Sequence, residues 1–286
     1  MKNFDFFPFF REQQGEKNTS ERESFKLSGY GESKKGDEAH GSINDDYFLW
    51  RPDLGLAAIC DGLENNYESN SASAATIREL PLLISQLDKS GNPQQRSEQL
   101  RKIILDIHKK IAAREISARG FTTLSAILIE KDREAIIAHT GNSRIYLIRK
   151  KQIFILTIDQ KRALMGIPSK DRDKTLRIFA SAASIEQIPK NLQENYQLFI
   201  RSSMSSVLGA EPLNLQITQQ QITRGDRLVL CTDGISDHLT LPKLLTLCSG
   251  KNPESAVRSL IEEPGDIEYN RYYPNDDKTA IIVDVN

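Results

Sequence analysis

The stretches GLAAICDGLE (residues 55–64) and RLVLCTDGIS (227–236) decide how this chain is read. Each carries an apolar, strand-like run through a cysteine and directly into Asp-Gly, at Asp61-Gly62 and at Asp233-Gly234. One such ending is ordinary, because Asp-Gly is a common hairpin turn in which glycine tolerates positive φ. Two of them, each behind a strand that reads as buried, raise a second reading in which the aspartates serve chemistry. Two further carboxylate pairs precede strand-like runs, Asp45-Asp46 in INDDYF and Asp276-Asp277 in NDDKTAIIV. If the four strands share sheets, their ends can converge, and converging carboxylates raise each other's pKa unless a cation compensates. Oxygen ligands without a cysteine or histidine pattern suit a hard ion, Mg²⁺ or Mn²⁺. Glycine after the aspartate lets the backbone carbonyl come close to such an ion.

Outward from these stretches the pattern alternates between strands and helix pairs. SFKLSGYGES reads as a first strand, KKGDEAHGSINDD as a polar loop, and YFLWR with GLAAICD as a hairpin across a Pro-Asp-Leu-Gly turn. Apolar residues at three- and four-residue spacing predict a helix over 71–87, kinked at Pro81. A second follows, with Leu100, Ile103, Ile104, Ile107 and Ile111 on one face. TTLSAILIE, EAIIAHT, RIYLIRK and QIFILT read as strands separated by the turns KDR, GNS and KK. Residues 158–197 give only weak helical signals. RLVLCTD is a strand, LPKLLTLCSG and PESAVRSLIEE are helices, and TAIIVDV closes the chain as a strand. Strand runs separated by helix pairs favour a layered α+β domain over strictly alternating βαβ units.

Composition narrows the class. The 286 residues are 38% hydrophobic and 27% charged with a net charge of -1, values of a globular protein with no pull toward nucleic acid. Three cysteines without a CxxC pair argue against a disulfide framework and for a reducing compartment. No apolar run is long enough to cross a bilayer. The Phe-rich start, MKNFDFFPFFREQQGEKN, is interrupted by Asp5, Pro8 and Arg11 and lacks the features of a secretory signal. The expectation is a cytoplasmic protein, although delivery by a specialised secretion system would leave no signal peptide.

In order along the chain, INDDYFLW, GLAAICDGLE, IIAHTGNSRIYLI, SSVLGAEP, GDRLVLCTDGISD and NDDKTAIIVDV resemble the blocks of the PP2C (PPM) metal-dependent protein phosphatases. The resemblance covers nearly everything from about residue 25. It implies a four-layer αββα sandwich with two central antiparallel sheets and a binuclear metal site at one edge. It further implies an amino-terminal arm over 1–24, a phosphatase domain over 25–286, and a variable flap at about 158–200. Carried over by position, Asp61 bridges two Mn²⁺ or Mg²⁺ ions and the Gly62 carbonyl binds one. Asp233 and Asp276 complete the other, and Asp46 holds metal-bound water. The implied reaction is hydrolysis of phosphoserine or phosphothreonine by a metal-bridging water, without a phosphoenzyme. The implied partners are a phosphoprotein substrate and a cognate Ser/Thr kinase, with no nucleic acid or membrane insertion and a monomeric chain.

Three departures bear on activity. Gly-Asp-Ser-Arg of the family is Gly141-Asn142-Ser143-Arg144 here, so a third, weaker ion loses a charged ligand, while Asn142-Ser143 also reads as a hairpin turn. The family's phosphate-gripping arginine falls at Gly41, leaving His40, Lys34 or Lys35 to approach a phosphate or to be solvated. The first Asp-Gly block continues Leu63-Glu64-Asn65-Asn66-Tyr67, with Glu64 a candidate extra acid or a surface residue. Cys60, Cys231, His139 and Trp50 read as core, and His108 is given no role. The rival to an active enzyme is a phosphatase-like binding or regulatory protein with poor turnover.

Overall fold

The computed structural model describes residues 26–36, 43–63, 71–88, 91–115, 120–130, 133–267 and 276–286. The expected arm over 1–24, His40, Gly41 and Glu64 lie outside these residues.

The apolar runs form strands because their β-branched and aliphatic residues can bury both faces. In β3 (Leu56–Cys60), Leu56, Ala58 and Cys60 point into one core, while Ala57 and Ile59 point into another. The period of two thus places β3 between two layers. β9 (Arg227–Cys231) repeats the arrangement, with Leu228 and Leu230 in the core that β3 shares and Val229 and Cys231 in a third. The shared core lies between two sheets and the other two lie beneath helices. The result is an αββα sandwich.

One sheet has the order β1 (Leu27–Lys34), β10 (Lys278–Val285), β9, β6 (Arg144–Arg149), β7 (Gln152–Ile155). The other runs β2 (Tyr47–Arg51), β3, β4 (Leu124–Ile129), β5 (Glu134–Thr140), β8 (Gln216–Gln221). All pairings are antiparallel. Helix α1 (Ala72–Ile84) packs on β2 and β3 and helix α2 (Pro93–Ala112) on β5 and β8, with Leu80, Ile84, Leu100, Ile104 and Ile107 in the core beneath them. Their starts are fixed by side-chain caps: Ser71 accepts from Ala74 N–H, and Asn92 forms a capping box with Gln95. α1 runs on through Pro81 to Ile84.

Two expectations change, and one strand had gone unread. The weak signals of 158–197 resolve into helices α3 (Arg162–Met165), α4 (Ser169–Ser181) and α5 (Gln193–Arg201), whose Leu176, Phe179, Tyr196 and Phe199 join the core over β9. β8 gave no alternation to read, because four of its six residues are glutamines on a sheet edge. Gly141-Asn142-Ser143 is not a hairpin: β5 and β6 belong to different sheets, and the segment carries the chain from one to the other. On the opposite layer, the helix over 233–236 (α6), α7 (Leu241–Cys248) and α8 (Pro253–Glu262) pack through Ile235, Leu244, Val257 and Leu260.

Candidate metal centre

Register brings the acidic residues to one rim. Cys60 pairs with Tyr47, so Asp61 leaves β3 beside Asp46 as it enters β2. In the facing sheet Cys231 pairs with Ala280 on one side and Arg144 on the other. Asp233, Asp276 and Asn142 therefore emerge at the same level. Residues more than two hundred positions apart meet because two antiparallel sheets end together.

Neither Asp-Gly is a reverse turn. Asp233 opens the single helical turn of α6, and its carbonyl accepts the Asp237 N–H at 2.8 Å. The Asp61 carbonyl accepts Thr123 N–H at 2.9 Å and the Thr122 hydroxyl at 2.8 Å, while its own N–H donates to Thr123 Oγ1 at 3.0 Å. Both glycines are required by close approach. A Cβ on Gly62 would stand 2.8 Å from the Asp45 Cβ and from its carbonyl oxygen, and one on Gly234 would collide with the Asp277 carbonyl.

The electrostatics are those of crowded carboxylates. Asp61 is pushed well above the usual carboxylate range by desolvation and then by Asp233, Asp46 and Asp276, with Asp233 within hydrogen-bonding reach. Asp46 is also raised well above that range, chiefly by burial, although the Thr232 hydroxyl donates to it at 2.8 Å. Asp276 is pushed up to about 7 by desolvation and by Asp233. Asp45 is pushed up to about 6 by desolvation and by Asp277. Repulsion of this kind is relieved by a divalent cation.

The carboxylates adjoin one another without forming a finished cage. Among the described residues, no three His, Cys, Asp or Glu side chains converge as a metal site. Several oxygens face protein donors instead. Asn142 donates its side-chain amide to Asp233 Oδ2 at 2.7 Å, and its own buried Oδ1 has no hydrogen-bond partner. Asp45 Oδ1 is likewise buried and without one. The donor set nevertheless fits a hard ion: it is all oxygen and carries excess negative charge, with Asp61 and Asp276 raised by burial and by their carboxylate neighbours.

Sequence reasoning missed the scaffold of this rim. Asp277 accepts from Gly36 N–H at 2.7 Å and Asp45 N–H at 2.8 Å, clamping the β1–β2 segment to the start of β10. Arg144, fully buried, grips Asp159 through two hydrogen bonds of 2.9 and 2.8 Å and donates to the Ser236 carbonyl at 2.9 Å. Its guanidinium and the Lys161 ammonium both reach Asp237, at 3.2 and 2.7 Å. The threonines beside Asp233 and Asp277 were a readable signal, since hydroxyls next to buried carboxylates supply donors. The partners of Arg144 were not readable. Lys34 pairs across the strands with Lys278. Cys60 and Cys231 are buried free thiols, and His139 is buried between Ser125 and the Ile158 carbonyl. His108 is held between Glu211 and the Gly209 N–H. No described helix is long and apolar enough to cross a membrane.

Comparison with known proteins agrees with this architecture. No curated protein sequence matches the chain. Among solved structures, the serine/threonine phosphatase PstP/Ppp of Mycobacterium tuberculosis superposes with a TM-score of 0.65 at 22% identity, over 91% of this chain and 99% of that one. Stp1 of Staphylococcus aureus gives 0.66 at 19% identity, over 94% and 99%. The catalytic domain of PstP in complex with two manganese ions gives 0.65 at 21% identity, over 92% and 99%. These likenesses establish the fold. A family profile described as Protein phosphatase 2C matches residues 35–250, about three quarters of the sequence. The chain belongs to the protein phosphatase 2C family.

Proposed function

We propose that the protein is a metal-dependent protein phosphatase that hydrolyses phosphoserine or phosphothreonine. The observation that carries this reading is the meeting of Asp46, Asp61, Asp233 and Asp276, from four distant segments, at one rim. Asp61, Asp233, Asp276 and the Gly62 carbonyl would hold two Mn²⁺ or Mg²⁺ ions, as the two manganese ions of the related PstP structure suggest. When bound, such ions supply Lewis acidity and a water that is nucleophilic at neutral pH.

The chain's own residues set the rest. Thr232 orients Asp46, which would accept a proton from an attacking water. The Asp277 clamp and the Arg144 grip fix the backbone on either side of the acidic rim. Asn142 holds Asp233 without adding charge, so a third ion lacks the carboxylate it would need. The substrate is a phosphoprotein, supplied by a Ser/Thr kinase, and the chain acts as a monomer.

A second reading, a phosphatase-like regulatory protein, draws on Asn142 and on the absence of arginine at Gly41. Purified protein assayed on p-nitrophenyl phosphate and a phosphothreonine peptide, with and without Mn²⁺, separates the two. Metal-dependent phosphate release supports the enzyme. Its absence, with Mn²⁺ bound, supports the regulatory protein.

A further inference from the structure

Residues 162–203 leave and rejoin the sandwich through a narrow neck. Arg162 N–H donates to the Ser203 carbonyl at 3.0 Å, and the Gln160 carbonyl accepts Ser205 N–H at 2.7 Å. Lys161 and Met204 pair as an isolated β-bridge between these bonds. Beyond the neck, Leu176, Phe179, Tyr196 and Phe199 seat the insert in the core over β9. One side chain at the neck adds a polar tie to that apolar packing.

Lys161 is buried, an unusual place for an ammonium unless it is paired. Its Nζ lies 2.7 Å from Asp237 Oδ2. On another side it stands 4.7 Å from the centre of the Phe199 ring, a cation–π distance. Phe199 belongs to the insert, where it packs at 5.3 Å on Phe179, itself 5.2 Å from Tyr196. That aromatic trio joins α4 to α5. Asp237 belongs to the other side: its N–H closes the α6 turn on the Asp233 carbonyl, and Arg144 holds its Oδ1.

We propose that Lys161 is a positioning residue that ties the helical insert to the turn carrying Asp233, so that metal binding and the placement of the insert are linked. The inference rests on the metal-dependent reading of the same rim. The ammonium is the charged group at the neck that reaches both sides. A backbone bridge holds the neck closed but touches neither the aromatic trio nor the α6 turn. Loss of its charge also leaves a partly buried Asp237 with Arg144 alone, an unfavourable change beside a metal-binding turn. Residues that orient metal ligands from behind typically change metal affinity tenfold or more when removed.

Hydrogen exchange followed over 193–201 and 233–239 tests the tie. In the parent protein, Mn²⁺ is expected to slow exchange in both segments. In Lys161→Met, Mn²⁺ is expected to bind about tenfold more weakly, and at saturation to protect 233–239 but no longer 193–201. Lys161→Arg, which restores the cation, is expected to recover the protection of 193–201. Full protection of 193–201 in folded Lys161→Met, or none in Lys161→Arg, overturns the proposal. If Lys161→Met fails to fold, Phe199→Leu decides, because it removes the ring face and leaves the ammonium. Reduced coupling in that variant supports the tie, and unchanged coupling overturns it. If the parent binds no Mn²⁺, the phosphatase reading fails. The metal-free comparison then judges the tie alone, faster exchange of 193–201 in Lys161→Met supporting it and equal exchange overturning it.

Discussion

The Asn142 side-chain amide donates to Asp233 Oδ2 at 2.7 Å, joining the segment that crosses between the sheets to the second Asp-Gly turn. A neutral donor there quiets one carboxylate of the cluster without an ion. Asn142→Asp replaces that bond by two facing carboxylates, which repel unless a cation separates them. The variant is expected to melt about 2 °C or more below the parent in EDTA, and to regain that loss in Mn²⁺. It is also expected to bind one more Mn²⁺ per chain and to be more active at limiting metal. Differential scanning calorimetry and titration calorimetry check these outcomes; equal melting in EDTA would contradict the contact.

The raised carboxylates predict how stability depends on pH. Asp46, Asp61 and Asp276 are held above their unfolded values, the last at about 7. Between about pH 4 and pH 7 the metal-free folded state therefore binds more protons than the unfolded chain. Their contribution is fully present below the unfolded pKa and is lost as pH rises through the folded values. His139 acts oppositely: burial lowers it to about 4, so its contribution is lost as pH falls. The difference in melting temperature between Mn²⁺ and EDTA cancels the histidine. It is expected to widen steadily from pH 5 to pH 7.5, and a flat difference would remove the carboxylates from the metal site.

Gly234 meets the Asp277 carbonyl where a side chain would begin. Gly234→Ala must push apart the α6 turn and the segment that carries Asp276. A loss of about 2–3 kcal/mol, in the upper range for single substitutions, is expected in denaturant unfolding. Weaker Mn²⁺ binding should accompany it, because two candidate ligands move. Unchanged metal affinity would mean that the two segments do not share a site.

Much of the fold was legible because β3, β9 and β10, buried on both faces, are written as short unbroken apolar runs. The acidic strand ends stood out for the same reason: a charge at the close of an apolar run is conspicuous. The turn at Gly141–Ser143 misled, since a short polar link looks the same whether it reverses a strand or crosses between sheets. The insert helices were faint because their apolar residues are few and serve a shared core rather than a continuous stripe. Asp159, Lys161 and Asp237 were invisible as a network, because ion pairs between residues fifteen to ninety-three positions apart leave no local pattern.

The most direct test is a count of Mn²⁺ ions bound per chain, in the parent and in Asp61→Asn, by titration calorimetry with metal analysis. Two ions in the parent are predicted, with at least one lost in the variant. A parent that takes up no Mn²⁺, or an Asp61→Asn protein that binds it as the parent does, would contradict the account.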